Sequence, residues 1–192
     1  MAKTLYLDRS TSTGRNGAWV EELDLDGVDR IVVGMGPGSF AGIRSALAFA
    51  QGYALGKDCE VVGLPSPCAI AGEFYATGTG SQQLTTNNQQ PLAVVGDARR
   101  EKYWVALFDG LKLICPVFQV DKADLHLRIP LSAKVVSPDA KRIDELLKET
   151  FAERYLGERL PTDEGLRAYA EANPSALVKE PLPIYLNPAV RD

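Results

Sequence analysis

Residues 31–56, IVVGMGPGSFAGIRSALAFAQGYALG, join a short β-branched run, a glycine turn and a long apolar stretch at helical spacing. The β-branched run predicts a strand that is covered on both faces. Glycines accept backbone conformations and close approaches that a side chain would block, and a proline fixes one φ angle. We therefore assign a structural turn, ending in a helix N-cap, to five residues: Gly34, Gly36, Pro37, Gly38 and Ser39.

The predicted helix that follows is apolar on both sides, which indicates burial on both sides. One side would pack on the sheet and consists of Phe40, Ile43, Leu47, Ala50 and Ala54. The other side is small and apolar, and we predict it as a partner interface: Ala41, Arg44, Ser45, Ala48, Phe49 and Gly52. The alternative is that a second domain of the same chain, and not a partner protein, covers this side of the helix. Arg44 lies in the first turn, where the helix dipole disfavours a cation; a partner carboxylate or an intramolecular ion pair would compensate.

The composition is that of an ordinary folded protein of 192 residues, which allows one sizeable domain or two small ones. A net charge of −4 gives no electrostatic footprint for strong, direct nucleic-acid binding. No apolar run has the length needed to span a bilayer, and the start lacks the apolar region of a signal peptide, so we expect a cytoplasmic protein with no membrane contact. The three cysteines, Cys59, Cys68 and Cys115, fit reduced core thiols better than disulfides.

The chain divides into two related α/β units, each of which opens with a strand, an aspartate and a hairpin. We predict residues 1–80 as an N-terminal unit, 81–90 as a polar linker and 91–192 as a C-terminal unit. The first hairpin would pair strands at 4–7 and 18–23. The second unit would hold strands at 92–95, 102–108 and 112–119, short strands near Leu125 and Val135, and helices at 139–150 and 162–172.

The candidate catalytic residues are few. The glycine turn approaches the dinucleotide fingerprint, but the acidic residue expected after the next strand is missing and Pro37 removes one amide. His126 is the sole histidine and lies in an alternating stretch, which indicates a structural role on a strand. Asp8 and Asp97 each end a buried strand; we expect them to cap turns by accepting backbone N–H groups, with no second acid beside either one. We therefore expect no catalytic residue, metal or cofactor.

Several motifs, in the same order, are similar to those of the TsaB family, which serves bacterial tRNA threonylcarbamoyladenosine biosynthesis. The stretch GPGSFAGIR resembles the family's G-P-G-S-F-T-G-L-R, and VVGDARREKYWVALFD resembles its D-A-R-x-x-E-V-Y hairpin. PLPIYLNPAV is similar to the C-terminal P-x-Y-L segment, and LYLDRST to the opening I-D-T-S-T, with Arg9 at the position of the first threonine. The short interval DLDGVD stands where the family usually has a further helix.

This resemblance implies an actin-like, ribonuclease-H-like (ASKHA) fold of two related α/β units, the first of them truncated. It further implies a non-catalytic partner of TsaD, the transferase that places a threonylcarbamoyl group on an adenosine beside the anticodon, with the ATPase TsaE acting indirectly. TsaD needs an H-x-x-x-H motif, which this chain lacks. When alone, the chain is expected to form a homodimer. Two alternatives stay open: a self-associating structural homologue that no longer binds TsaD, and an NADP-dependent oxidoreductase that uses the glycine turn.

Overall fold

The computed structural model describes residues 3–11, 20, 23–76 and 90–186, which form two β-sheets and five α-helices. The first sheet has the strand order β1–β2–β3–β10, in which β1, β2 and β3 are parallel and β10 is antiparallel to β3. Its strands are β1 (Lys3–Leu7), β2 (Val28–Gly34), β3 (Glu60–Leu64) and β10 (Val178–Lys179).

The first sheet is covered on both faces, as its β-branched strand predicts. Ile31 and Val33 pack with residues of helix α1 (Phe40–Leu55), which connects β2 to β3. Val32 points to the opposite face, as strand alternation requires, and packs with helices α2 (Pro67–Ala76) and α5 (Asp163–Ala172).

Helices α2 and α5 approach each other closely because each presents a glycine at the contact. A Cβ atom at Gly72 would overlap the carbonyl oxygen of Gly165, and a Cβ atom at Gly165 would overlap that of Ala69. The two helices share one buried cluster with Val32 of the first sheet and Phe108 of the second. They therefore form the layer between the sheets.

The second sheet has the strand order β6–β5–β4–β8–β9, and β7 also pairs with β5. Strand β4 is antiparallel to β5 and parallel to β8, which is in turn parallel to β9. Helix α4 (Ala140–Phe151) and the single-turn helix α3 (Leu125–Arg128) cover the face away from α2 and α5. The strands are β4 (Leu92–Arg99), β5 (Lys102–Asp109), β6 (Lys112–Leu113), β7 (Phe118–Asp121), β8 (Lys134–Ser137) and β9 (Tyr155–Glu158).

Most predicted elements of the second half are present, with three corrections. The strand expected over 112–119 is divided into β6 and β7. The strand expected near Leu125 is helix α3, because the stretch follows a 3₁₀ turn at Lys122–Asp124 and buries only Leu125 and Ile129. The Asp-Gly pair at 109–110 predicts a two-residue hairpin turn, but Asp109 pairs with Lys112 and belongs to the strand.

The chain returns to the first sheet after it has built the second. Helix α5 contacts β1 and β2, and β10 extends the first sheet beside β3. Residues 181–186 then continue without helix or strand, and the Ile184 N–H donates to the carbonyl oxygen of Met35 at 2.8 Å. The division at 80 and 91 stays a prediction. The first hairpin falls largely on residues 12–19 and 21–22, and the linker predicted at 81–90 falls on residues 81–89 except for its last residue, so both lie mostly outside the described residues.

Candidate partner interface and buried aspartate site

Helix α1 begins at the turn that the sequence singles out. The Ser39 hydroxyl accepts a hydrogen bond from the Gly42 N–H at 3.3 Å, and the Ser39 N–H donates to the carbonyl oxygen of Ser10 at 2.5 Å. The Gly36–Pro37 peptide bond is cis. Because β1, β2 and β3 are parallel, the turn and the residues after β1 and β3 meet at the carboxyl edge of the first sheet.

Helix α1 has one buried and one exposed face. Its buried residues are Ile43, Ala46, Leu47 and Ala50. On the other face the structure leaves exposed five of the six residues that we predict as an interface: Ala41, Arg44, Ser45, Ala48 and Gly52. The sixth, Phe49, is half-buried and stacks on Tyr53 with ring centroids 6.3 Å apart. Apart from Tyr185, which contacts Arg44, the described residues leave most of this surface exposed, and no second domain covers it among them. We call these six residues the α1 outer face.

Phe40 departs from the sequence prediction. We expected its side chain on the sheet side of α1, but the ring is 55% exposed and lies beside Tyr185 of the C-terminal segment, with centroids 5.4 Å apart. Arg44 completes this group. Its guanidinium carbon is 4.1 Å from the Phe40 ring centroid, and its Nε donates to the Tyr185 hydroxyl at 2.9 Å. The sequence gives no sign that residue 185 lies beside α1.

Asp8 lies where β1 ends and is buried beneath the turn. Its Oδ1 accepts hydrogen bonds from the Ser10 N–H at 2.9 Å and from the Ser10 hydroxyl at 2.6 Å. The Asp8 N–H itself donates to Oδ1 of Asp163, the first residue of α5, at 2.7 Å. Arg9 donates to both carboxylate oxygens of Asp163, at 2.9 and 3.0 Å. The carboxylate of Asp163 thereby ties α5 to the end of β1.

The second oxygen of Asp8 has a different environment. Oδ2 is buried and has no hydrogen-bond partner among the described residues. A Cβ atom at Gly34 would overlap this carboxyl group, so only glycine fits beside it. Burial raises the pKa of Asp8 above its ordinary value, although the hydroxyl groups of Ser10 and Ser66 and the N–H of Ser10 act in the opposite direction.

Asp97 repeats the backbone pattern of Asp8 in the second sheet. Its Oδ1 accepts the N–H of Arg99 at 2.8 Å, and its own N–H donates to Oδ2 of Asp139, just before α4, at 2.9 Å. Its Oδ2 lies 3.4 Å from Arg99 and 3.6 Å from Arg142. Both aspartates accept backbone N–H groups, as predicted. The expectation that no second acid lies beside them is wrong, because the chain brings in Asp163 and Asp139 from distant positions.

The remaining candidate residues do not form a reactive cluster. His126 lies exposed on helix α3, not on a strand. The three cysteines are free, and burial raises the pKa of the Cys68 thiol to about 12, while Cys59 and Cys115 are only half-buried. Within the described ranges there is no group of three or more histidine, cysteine, aspartate or glutamate residues arranged for a metal ion. None of the helices described is both long and apolar enough to cross a membrane.

Comparison with known proteins identifies the family. Residues 20–155 match the model of the family described as TsaD, tRNA N6-adenosine threonylcarbamoyltransferase. The structure is similar to that of YeaZ from Pseudomonas aeruginosa, with a TM-score of 0.73 and 21% identity over 97% of this chain and 100% of that chain. A crystal structure of an uncharacterized protein with similarity to peptidase YeaZ, also from Pseudomonas aeruginosa, has a TM-score of 0.71 and 19% identity over the same shares.

Curated relatives match a shorter stretch. Uncharacterized proteins of Mycobacterium tuberculosis and Mycobacterium bovis are 32% identical over 94 residues, which are 49% of this chain and 38% of each relative. The chain thus spans well under half of the length of these relatives. The family model covers most of the chain, and the structural neighbours fit the predicted actin-like, ribonuclease-H-like α/β fold. The chain therefore belongs to the TsaD family, as a TsaB-like member with the fold of YeaZ.

Proposed function

We propose that this protein is a non-catalytic partner of a TsaD-type threonylcarbamoyl transferase in the modification of tRNA adenosine, and that it binds this enzyme through the α1 outer face. The family match supports the reaction, since the family is described as a tRNA N6-adenosine threonylcarbamoyltransferase. A TsaE-type ATPase would contribute indirectly. Action in the cytoplasm and dimer formation by the isolated chain belong to the same proposal.

The observation that carries the binding role is the exposure of a small, apolar helix face. A solvated helix usually carries charged residues on its outer side, whereas the α1 outer face holds alanine, serine and glycine around one arginine. Contiguous apolar surface of this kind marks interaction sites on folded proteins. Side chains as small as those of Ala41, Ser45 and Gly52 let the backbone of a second helix approach closely.

The non-catalytic role is supported by the side chains at hand. The chain has a single histidine, so it cannot form the H-x-x-x-H motif that the resemblance assigns to the transferase. Asp8 is the buried acid at the carboxyl edge of the first sheet, and its carboxylate accepts hydrogen bonds from the N–H and the hydroxyl of Ser10. These bonds fit a structural role for Asp8 in the residues after β1.

Binding of the TsaD-type transferase from the same organism tests the proposal. Ser45→Trp places an indole at the centre of the α1 outer face and should abolish the complex, because the close approach is blocked. Lys148→Ala, on helix α4, is the distant control and should bind like the wild type. Co-purification and isothermal titration measure the outcome, and circular dichroism confirms folding. A wild-type protein that does not bind the transferase contradicts the proposal; a Ser45→Trp variant that binds normally contradicts the choice of face.

Self-association through the same face is the second candidate role. Two copies of the α1 outer face would meet with twofold symmetry and cover each other's apolar surface. Ala48→Asp, at an exposed position of the face, would place a charge in that contact and should give folded monomers. Light scattering at micromolar concentration measures the mass. A wild-type protein that is monomeric under these conditions contradicts self-association. If self-association persists while no transferase binds, the chain is a homologue that has lost the family's partnership.

Assays of the isolated protein test the absence of catalysis. We expect neither ATP hydrolysis nor threonylcarbamoyl transfer by the chain alone. Turnover by the wild type that is lost in Asp8→Asn would contradict this expectation and would assign chemistry to the buried aspartate. The family match gives no support to the third interpretation, an NADP-dependent oxidoreductase, and tight NADP binding in a fluorescence titration would revive it.

A further inference from the structure

We propose that Arg44, Phe40 and Tyr185 form an anchor that binds a carboxylate of the partner at one end of the α1 outer face. The proposal deepens the function proposed above and rests on it. It names the chemistry of the partner surface, an aspartate or glutamate beside a small-residue helix, and it makes the docking surface a composite of α1 and the C-terminal segment.

The geometry holds the guanidinium of Arg44 in one orientation. The Phe40 ring lies 4.1 Å from its central carbon, and the Tyr185 hydroxyl accepts the Nε–H at 2.9 Å. This hydrogen bond uses Nε and leaves the two terminal amino groups directed elsewhere. An arginine that is already ordered loses little side-chain entropy when it binds a carboxylate, and its planar fork matches the two oxygens.

The charge of Arg44 is uncompensated within the part of the chain that the structure describes. No ion pair of the described residues includes it, and the first turn of α1 contains no acidic residue. An incoming carboxylate would therefore supply the counter-charge that Arg44 lacks among these residues.

The surroundings of Arg44 are those of an interface hot spot. Phe40 is 55% exposed and Tyr185 is 46% exposed, so two aromatic rings flank one arginine on an accessible surface. Aromatic residues and arginine are enriched among the residues that dominate binding energy. The hydrogen bond from Ile184 to the Met35 carbonyl oxygen fixes the segment that supplies Tyr185.

Charge complementarity favours an unlike partner over a second copy of the chain. Helix α1 has no aspartate or glutamate between residues 40 and 55. Two copies that meet through α1 would bring two arginines together, and residues 40–55 of neither copy supply a carboxylate. A second copy covers the apolar part of the face but leaves both arginines without counter-charge. A partner helix with one acidic residue would cover the apolar part of the face and also supply a counter-charge for Arg44.

Titration of the TsaD-type transferase with variants of the full chain tests the anchor. Arg44→Ala should weaken binding about thirtyfold, which is typical of the loss of one member of a buried interface charge pair. Tyr185→Phe keeps the ring but removes the hydrogen-bond acceptor and should weaken binding about fivefold. Arg44→Lys keeps the charge and should lie between the two. Arg128→Ala removes an exposed cation from α3 and should bind like the wild type.

The effect of Arg44→Ala on self-association should differ from its effect on transferase binding. Arg44→Ala should leave the dimer of the isolated chain unchanged or make it tighter, because it removes two like charges from that contact. Equal weakening of the dimer and of the complex would overturn the assignment of a carboxylate partner. If the wild type binds, Ser45→Trp does not, and Arg44→Ala binds like the wild type, the anchor is overturned while the proposed function stands. If the wild type does not bind the transferase, both are overturned.

Discussion

Asp8 and Asp97 occupy equivalent places in the two sheets, yet their second carboxylate oxygens have opposite surroundings. Asp8 directly follows β1 and Asp97 lies near the end of β4. Each accepts the N–H of the residue two positions later and donates its own N–H to an aspartate at the start of a helix. Oδ2 of Asp8 is buried without a hydrogen-bond partner among the described residues, whereas Oδ2 of Asp97 lies near two arginines.

The comparison shows that one backbone motif is used in two electrostatic settings. The shared part depends on short-range geometry, an aspartate that accepts from residue i+2 and a helix that begins nearby. The difference comes from the residues that surround the second carboxylate oxygen of each aspartate. Gly34 packs against the carboxyl group of Asp8, while the arginines near Asp97, Arg99 of β4 and Arg142 of α4, remain in contact with solvent. The first site is therefore built for packing and the second for solvated charge.

Gly34→Ala should give the largest effect, because the new methyl group would overlap the Asp8 carboxyl group. We expect a loss of about 3 kcal/mol in the free energy of unfolding, at the upper end of overpacking costs. Gly56→Ala, where an added Cβ has only the Tyr53 carbonyl oxygen nearby at 3.8 Å, is the matched control. Urea denaturation measures both. Equal stability of the two variants would show that the first site is not tightly packed.

Asp163→Ala should cost about 2 kcal/mol, because it removes hydrogen bonds to the Asp8 N–H and to the Arg9 guanidinium. Its counterpart, Asp139→Ala, removes the bond to the Asp97 N–H and should cost about 1 kcal/mol. The difference between the two variants, measured by chemical denaturation, reports how strongly each sheet depends on its distant helix. A larger loss for Asp139→Ala would reverse the comparison.

Asp8→Asn should change the pH dependence of stability. The pKa of Asp8 is raised in the folded protein, so its carboxyl group is protonated in both states at low pH and must ionise inside the protein as the pH rises. The wild type should therefore lose stability relative to Asp8→Asn as the pH rises above about 4, the ordinary pKa of an aspartate side chain. Denaturation curves at several pH values measure this change. A constant difference between the two proteins would contradict it.

Asp97→Asn should have the smallest effect. The asparagine still accepts from the Arg99 N–H, and only the attraction to two solvent-exposed guanidinium groups is lost. We expect about 0.5 kcal/mol at low ionic strength, since exposed ion pairs contribute little. High salt should remove most of this difference by screening. A loss that persists in 1 M salt would mean that Asp97 has a role beyond the surface ion pair.

Sequence patterns predicted the elements that local chemistry determines. The β-branched run at 31–33, the cap at Ser39 and the helix after it form as expected, and so do β4, β5 and both later helices. The stretch around His126 alternates like a strand but forms a single helical turn. A period of two over so few residues does not distinguish the two structures when only two side chains are buried.

The contacts that define the candidate sites could not be predicted in the same way. Asp163 meets Asp8 across 155 residues, and Tyr185 meets Arg44 across 141. No periodicity in the sequence encodes such pairings, because they depend on how α5 and the C-terminal segment return to the first sheet. The outer face of α1 was predictable because its composition is unusual for a helix. The anchor at its end was not, since Phe40 fits either side of the helix by its spacing.

The return of the chain to its first sheet determines when that sheet can be completed during synthesis. During synthesis the strands β1, β2 and β3 leave the ribosome well before α5. Asp163 therefore becomes available to the N–H of Asp8 and the side chain of Arg9 only after α5 has emerged. The nascent first sheet is completed only when residues 178–179 emerge and β10 joins β3. Tyr185 reaches Arg44 at the same stage. A translation product that stops before these residues would lack Tyr185 beside Arg44, and with it the anchor proposed above.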